Sequence, residues 1–345
     1  MVNIVEIAQL VGVSPSTVSR VINGKPYVKA EKKKEILKIV EETGYIPNKA
    51  ARNMVLRRSF TVGIVIPDDF NMFRRQLFSI IERHLNAFGY HTLFFFVKQD
   101  EESEKTCLDR LKSENLDGII MLHEMKSPGF YRYLESARIP AVSTTCGSGA
   151  VPAVPTVTLD DESAAVDAVN HLIGLGHRNI AMLNGKGFSY GNRRLDGYLK
   201  ALEAAGGRDC ALVIEADRYS SQAGLEAMGA LLDSGAGFTA VFASSDELAI
   251  GAMRALRDRG LKVPGDVSVM GFDDIDISNY LCPRLSTIRQ PIAEIGEQAA
   301  LMLHRFIRGE KEDGAGAVLP HTLVARESTK GTGPRVLLNP VPRGP

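Results

Sequence analysis

The sequence predicts an α/β protein in which a small helix-turn-helix head precedes a larger core of two lobes, each a parallel sheet flanked by helices. From Thr61 to about residue 330, short apolar strands alternate with amphipathic helices, which is the order that builds parallel sheets. This stretch is longer than one hydrophobic core usually accommodates, so two lobes with a cleft are expected. Residues 1–60 are instead basic and show helical spacing of their apolar side chains.

Each element of the core is predicted from its own apolar pattern. The predicted strands are 62–66, 92–97, 118–122, 141–144, 180–183, 240–243 and 267–272. The predicted helices are 76–88, 104–113, 130–136, 163–175, 193–205, 222–234, 247–259 and 292–308. Because ligands bind beyond the carboxyl ends of parallel strands, the loops after these strands are where a binding site is expected.

The chain has no net charge, but its charge is unevenly distributed. Residues 1–60 hold 11 Lys and Arg against 5 Asp and Glu, and the rest of the chain has the matching acidic excess. The 44% hydrophobic and 24% charged residues are ordinary for a globular protein and exclude a disordered or collagenous chain. A basic head on an acidic body suggests a polyanionic partner, although a solvated basic face would give the same count.

Three helices are predicted in the head. Asn3 and Glu6 have the spacing of a capping box at the start of the first helix. Gly12 permits the tight turn that follows, and Ser14-Pro15 opens the second helix with proline at its favoured position. A third helix is predicted over about residues 30–43. A unit of this size and charge is typical of a DNA-docking module.

The second helix carries most of the candidate DNA contacts. Arg20 can read guanine through a bidentate hydrogen bond, whereas Ser14 and Thr17 are short donors suited to phosphates. Ser14 and Thr17 can equally be no more than cap and turn residues. The predicted DNA-binding residues of the head are Ser14, Pro15, Ser16, Thr17, Arg20 and Asn23.

Ordered motifs along nearly the whole chain resemble one known family. In the head they are NIVEIA (3–8), GVSPSTVSRVIN (12–23) and GYIPN (44–48). In the core they are GIVIP (63–67), LDGII (116–120), LGHRNI (175–180), SD (245–246), VPGDVS (263–268), GFD (271–273) and PRLSTIRQP (283–291). The chain is therefore similar to the lactose-repressor (LacI/GalR) family of transcriptional regulators.

The resemblance implies a domain plan. The head would be 1–46, the hinge 47–60, the periplasmic-binding-protein-like core 61–330 and the tail 331–345. Within the core, the first lobe would comprise about 61–160 and 291–317, and the second about 161–290 and 318–330. The family assembles as homodimers on double-stranded operator DNA. The tail has prolines and no heptad leucines, so a helical tetramerisation tail is not expected.

The resemblance also implies that the hinge folds only on operator DNA, beside its symmetry mate. An apolar side chain then enters the minor groove between base pairs. That residue is usually leucine in the family, and Met54 stands in its place here. With Asn48 of the GYIPN motif, Met54 completes the set of predicted DNA-binding residues. Methionine is apolar and flexible, so it can still intercalate. An ordinary linker is the alternative interpretation of this segment.

Six residues are predicted to bind a small-molecule effector. They are Phe73, Arg74, Arg194, Tyr219, Asp246 and Asp273. After the first strand the family usually reads Asn-Pro-Phe-Phe, whereas residues 71–74 here read Asn-Met-Phe-Arg. If Arg74 faces the cleft, its planar fork suits a carboxylate or phosphate on the ligand. A solvent-facing Arg74 is the alternative, and for Asp246 the alternative is a helix cap.

Enzymatic functions find no support in the motifs. The sequence has no HExxH and no GxxxxGK[ST] motif, and the glycines of Gly185–Gly191 have the wrong spacing for GxGxxG. Neither a cofactor nor a metal is expected. The four cysteines show no CxxC spacing, and no signal peptide or membrane-length apolar run occurs. We therefore expect a cytoplasmic protein without a membrane partner.

The sequence thus predicts a homodimeric transcriptional regulator, a repressor whose operator affinity responds to a sugar or sugar acid. A purine-responsive regulator of the same family is one alternative, since Tyr219 would permit stacking on a flat base. A catabolite-control regulator is another, which would need a phosphocarrier-protein partner. A free-standing binding protein is disfavoured because it would not carry a helix-turn-helix head.

Overall fold

The computed structural model describes residues 2–22, 24, 26, 28–45, 58–68, 71–145, 154–207, 211–310 and 316–331. The chain forms two compact units, Met1–Phe60 and Thr61–Pro345. Within the described residues, no helix combines the length and the apolar character needed to cross a membrane.

The head has the predicted helix-turn-helix arrangement. Its helices are α1 (Ile4–Val11), α2 (Pro15–Ile22) and α3 (Ala30–Thr43). The predicted capping box is present, because the Asn3 side chain accepts from the Glu6 backbone and Glu6 accepts from the Asn3 N–H group at 3.0 Å. Gly12 adopts a φ of 66°, as the turn requires. The buried side chains that hold the three helices together are Ile7, Ala8, Val11, Val18, Val21 and Ile36.

The first lobe is built on a six-stranded parallel sheet with the strand order β11-β5-β4-β3-β1-β2. Its strands are β1 (Thr61–Pro67), β2 (His91–Val97), β3 (Gly118–Met121), β4 (Ala141–Ser143), β5 (Thr156–Leu159) and β11 (Gly316–Leu319). Its helices are α4 (Met72–Ala87), α5 (Glu101–Ser113), α6 (Pro128–Ala137) and α11 (Ile292–Ile307). Since helices cover both faces, strands such as β1 are buried almost throughout.

The second lobe contains a four-stranded parallel sheet with the order β7-β6-β8-β9. Its strands are β6 (Ile180–Gly185), β7 (Leu212–Ala216), β8 (Ala240–Ala243) and β9 (Ser268–Met270). Its helices are α7 (Asp161–Gly174), α8 (Ser189–Ala204), α9 (Ser221–Asp233) and α10 (Asp246–Asp258). A short antiparallel pair, β10 (Thr287–Arg289) and β12 (Thr322–Val324), lies beside this lobe.

Several elements differ from the predicted ones at their boundaries. Helix α4 begins at Met72 instead of residue 76, because the Asn71 side chain caps it by accepting from the Arg74 N–H group at 3.0 Å. Helix α8 likewise begins at Ser189 and not at residue 193. Arg74 therefore lies in a first helical turn and not in a strand-end loop. The strands that the apolar pattern missed are β5, β7, β10, β11 and β12.

Candidate functional site

A cavity of about 40 Å³ lies between the two lobes, beyond the carboxyl ends of strands from both sheets. We call it the interlobe cavity. It is lined by Asn71, Phe73, Arg74, Leu77, Leu122, Thr144, Thr145, Thr158, Leu159, Asp161, Tyr190, Arg194, Tyr219, Asp273 and Gln290. Five of the six predicted effector residues are in this lining, and Asp246 is not.

Arg194 is held by a fixed set of partners. Its Nε atom donates to Asp161 Oδ1 at 2.8 Å, and Nη1 donates to the Ser244 carbonyl at 2.6 Å. The guanidinium also lies 3.7 Å above the centre of the Phe272 ring. Burial disfavours the charge, but the carboxylates of Asp161 and Asp273 outweigh it and raise the pKa of Arg194. Arg194 is therefore a permanently charged, oriented donor in the wall of the cavity.

Asp273 presents a carboxyl group from the loop after β9. Gln290 Nε2 donates to Asp273 Oδ1 at 2.6 Å, and Arg194 Nη1 lies 3.7 Å from the same oxygen. Asp273 has a φ of 125°, a backbone conformation that side-chain-bearing residues rarely adopt. Burial raises the pKa of this carboxyl well above its usual value, more than Arg194 lowers it.

Asp246 lies outside the cavity lining and is fully buried. It does not cap α10 either, because the Ser245 side chain accepts from the Leu248 N–H group in that role. Three donors bind the Asp246 carboxylate instead. They are the Thr287 hydroxyl at 2.5 Å, the Ser278 hydroxyl at 2.6 Å and the Ile275 N–H group at 3.0 Å. Asp246 thus ties α10 to the segments that follow β9.

Arg74 faces the cavity and is only 4% exposed. Its guanidinium carbon lies 4.2 Å from the centre of the Phe188 ring, and Nη2 donates to the Tyr190 hydroxyl. The solvent-facing alternative is therefore wrong for this structure. Phe188 and Tyr190 stack at 5.0 Å between ring centres, and Tyr219 lies 5.2 Å from Tyr190.

Tyr219 approaches the backbone closely at two glycines of the 185–191 segment. A Cβ atom at Gly185 would lie 2.4 Å from the Tyr219 ring, and one at Gly191 would lie 2.4 Å from its hydroxyl oxygen. These glycines make room for the Tyr219 ring, which forms part of the cavity wall. Burial raises the pKa of Tyr219 to about 12, so its hydroxyl stays protonated.

Asp161, Tyr190 and Gln290 are among the cavity residues that were not predicted to bind an effector. Asp161 is the first residue of α7, directly after the chain leaves the first lobe, and Gln290 precedes its return at α11. Asp160, by contrast, caps α7 by accepting from the Glu162 and Ser163 N–H groups. No cluster of side chains suited to a metal ion occurs among the described residues.

In the head, the exposed face of α2 presents Arg20 and the residues near its start. Ser14, Pro15, Ser16 and Arg20 are exposed, and Thr17 is half-buried. Ser14 Oγ accepts from the Thr17 N–H group at 3.3 Å, so the capping role that we left open is present. Three further predicted DNA contacts, Asn23, Asn48 and Met54, lie outside the described residues.

Comparisons with known proteins agree with this architecture. Residues 3–48 match the bacterial regulatory proteins of the lacI family, and residues 169–329 match the periplasmic binding protein-like domain. The chain is 34% identical over 333 residues to catabolite control protein A of Priestia megaterium, covering 95% of this chain and 99% of that protein.

Solved structures give the same result. A lac repressor dimer bound to operator and the anti-inducer ONPF is 28% identical, with a TM-score of 0.86, covering 96% of this chain and 99% of that one. The complex of the transcriptional regulator CelR with cellobiose is 29% identical, with a TM-score of 0.71, covering 95% and 100% of the two chains. The chain therefore belongs to the lacI family of bacterial regulatory proteins, whose members are dimeric DNA-binding regulators controlled by small-molecule effectors.

Proposed function

We propose that this regulator is a repressor whose operator affinity is set by a sugar or sugar acid bound in the interlobe cavity. The observation that carries the proposal is the convergence of oriented polar groups and aromatic rings between the two lobes. Arg194 and Gln290 supply donors, Asp161 and Asp273 supply acceptors, and Tyr190 supplies a flat face. Sugars combine hydroxyl groups with flat apolar faces, and a site of this composition complements both.

The ligand acts on operator affinity through the two lobes. A ligand that contacts both lobes binds one arrangement of them better than another, and it shifts the equilibrium by that difference in affinity. By linkage, operator DNA must then change the affinity for the ligand by the same factor. A thermal-shift screen across neutral sugars, sugar acids, sugar phosphates and purines tests the proposal. Binding of purines alone would contradict the sugar assignment.

Arg20→Ala is expected to weaken binding to the cognate operator by about 1–3 kcal/mol if Arg20 reads a guanine. Arg20 is exposed on α2, the helix that the family inserts into the major groove. Fluorescence anisotropy on operator and random duplexes at two salt concentrations measures the loss. An equal loss on both duplexes would show that Arg20 contacts only phosphate, and the salt dependence of binding would then also decrease.

Arg74→Ala is expected to weaken binding of an acidic sugar far more than binding of its neutral counterpart. The reason is that a guanidinium pairs with a carboxylate through charge-assisted hydrogen bonds, which a neutral hydroxymethyl group cannot replace. Calorimetry with a matched pair such as glucuronate and glucose measures the difference. Equal losses for the two sugars would remove the anionic part of the proposal and leave a neutral sugar as the effector.

A catabolite-control role is the second candidate, favoured by the 34% identity to catabolite control protein A over almost the whole chain. It would make operator affinity depend on a protein partner more than on a sugar. Operator titrations with and without a phosphocarrier protein, each repeated with sugar, distinguish the two candidates. An increase in affinity that needs the protein and not the sugar would favour catabolite control.

A further inference from the structure

The interlobe cavity is largely filled by the chain itself. About 40 Å³ remains, which is enough for a few water molecules, whereas small-molecule sites usually measure on the order of 300–1,000 Å³. Arg74 reaches across the cleft, because it starts from α4 of the first lobe and its guanidinium contacts Tyr190 of α8 in the second. A ligand the size of a sugar therefore needs part of the space that Arg74 occupies.

The partners of Arg74 form a site suited to a planar cation. Its guanidinium carbon is 4.2 Å from the Phe188 ring centre and 5.6 Å from that of Tyr190. The two rings are nearly parallel, with 14° between their planes, and the Tyr190 hydroxyl accepts a hydrogen bond from Nη2. A flat guanidinium gains both stacking and cation–π attraction in this position, which an ammonium group cannot match. We call Phe188 and Tyr190 the guanidinium site.

Two buried side chains of the core, His123 and Asn184, contain polar atoms without a hydrogen-bond partner among the described residues. His123 packs edge-on against Phe188 at 6.1 Å and is 1% exposed, yet neither ring nitrogen has a hydrogen-bond partner among the described residues. Asn184 Oδ1 is similarly buried without such a partner.

Other contacts between the lobes lie along the same rim. The Met72 N–H group donates to Glu247 Oε2 at 3.2 Å, which joins the start of α4 to α10. The Gln99 side chain covers Gly187, where a Cβ atom would lie 1.8 Å from Gln99 Oε1. The first lobe thus contacts the second through Met72, Gln99 and Arg74.

We propose that Phe188 and Tyr190 form a binding site for a planar guanidinium group, that Arg74 is its tethered ligand, and that an effector enters by displacing Arg74. The displacement of Arg74 by an effector rests on the proposed function, whereas the guanidinium site and its occupation by Arg74 do not. In this arrangement Arg74 holds the lobes closed without an effector. An acidic effector compensates for the displaced contacts by pairing with the released guanidinium, and a neutral one does not.

Chemical rescue of Arg74→Ala tests the site without effector or DNA. The variant should unfold at a lower temperature than the wild type, and 1-ethylguanidinium should raise its midpoint. We expect a saturable increase of about 2–4 °C at roughly millimolar concentrations, because a ligand stabilises the folded state that binds it. Ethylammonium should not produce this increase, since it lacks the planar fork.

Arg75→Ala is the matched control, because Arg75 is the exposed neighbour on the same helix. It should show no saturable response to 1-ethylguanidinium, and neither should the wild type, whose site is occupied. A response of equal size in all three proteins, or none in Arg74→Ala, would overturn the proposal. Neither result bears on sugar binding in the cavity, which the thermal-shift screen tests independently. Failure of the guanidinium site is therefore distinguishable from failure of the proposed function.

A double-mutant cycle supplies a second measurement if Arg74→Ala does not fold. Arg74→Lys keeps the charge and removes the planar fork, and Tyr190→Phe keeps the ring and removes the acceptor. If the guanidinium binds as proposed, the two midpoint decreases should add to more than the decrease in the double variant. Additive decreases would mean that the two side chains do not interact, which would contradict the guanidinium site.

Discussion

Arg194→Ala is expected to destabilise the core by about 3–5 kcal/mol, because removing one partner of a buried ion pair leaves the other charge uncompensated. Arg194 and Asp161 are both nearly inaccessible, and the bond between them is 2.8 Å long. The variant also leaves the Ser244 carbonyl without its donor and removes the stacking on Phe272. Urea unfolding of the core in the variant and the wild type measures the loss of unfolding free energy.

Arg193→Ala is the matched control, one position earlier in the same helix. Arg193 pairs with Asp160 at 3.5 Å, but both side chains are 45% exposed. An exposed ion pair contributes roughly 0–1 kcal/mol, so this variant should unfold close to the wild type. Similar losses in the two variants would show that Asp161 does not depend on Arg194. Adding Asp161→Ala to Arg194→Ala should recover part of the stability by removing the stranded carboxylate.

Because Arg194 is expected to stabilise the core, its role in effector binding needs a test that separates binding from folding. From the sequence alone, Arg194→Ala would be expected to abolish the ligand response and leave operator binding unchanged. Since the same side chain supports the second lobe, a lost response in that variant would not separate binding from folding. The response is better measured in a variant that removes Arg194 and Asp161 together and is shown to bind operator. A lost response then assigns effector binding to the pair, because Asp161 also lines the cavity.

The sequence predicted the alternation of strands and helices well because burial on both faces leaves long apolar runs, as in β1 and β8. Strands β5, β11 and β12 were missed, since they are short and only partly buried and so have no such run. The head was predictable for a different reason. Its capping box and turn glycine are local signals that depend on no distant contact.

The cavity was only partly predictable, because its residues come from distant segments. Arg194 and Asp273 were found through motifs adjacent to strands. Asp161 and Gln290 sit where the chain passes between lobes, a position that no local pattern marks. Asp246 follows a strand just as a ligand-binding residue would, yet its carboxylate points to Ser278 and Thr287. The direction of a side chain depends on the packing of neighbouring segments and is absent from local sequence.

The buried Asp246 is expected to make the stability of the core depend on pH. Burial is the main cause that raises the pKa of its carboxyl from 3.8 to about 6, and the hydrogen bonds from Ser278 and Thr287 only partly oppose it. The folded protein therefore binds this proton more tightly than the unfolded chain does. The resulting contribution to stability is complete below the unfolded pKa, and it is lost as the pH rises through about 6.

Asp246→Asn is expected to stabilise the core at pH 7 by up to about 3 kcal/mol, the equivalent of roughly two pKa units. Asparagine is neutral at every pH, so the variant keeps at neutral pH the stability that the wild type has only at acidic pH. Its amide oxygen can accept from Ile275 and Ser278, and its NH₂ group can donate to Thr287. The Thr287 hydroxyl can in turn donate to the Ile288 carbonyl, 3.4 Å away.

Urea unfolding of the core between pH 4 and pH 8 measures this effect, with Asp233→Asn as the control, since Asp233 is exposed and pairs only with Arg259 in the part of the chain described. The wild type should lose stability from pH 4 to pH 7 more steeply than Asp246→Asn. Some decline should remain in the variant, because burial also raises the pKa of Asp273, which faces Arg194 and Gln290. Parallel pH profiles for wild type and Asp246→Asn would mean that Asp246 stays ionised in the folded core. Its three donors would then outweigh the cost of burying the charge, and Asn would be the less stable residue at neutral pH.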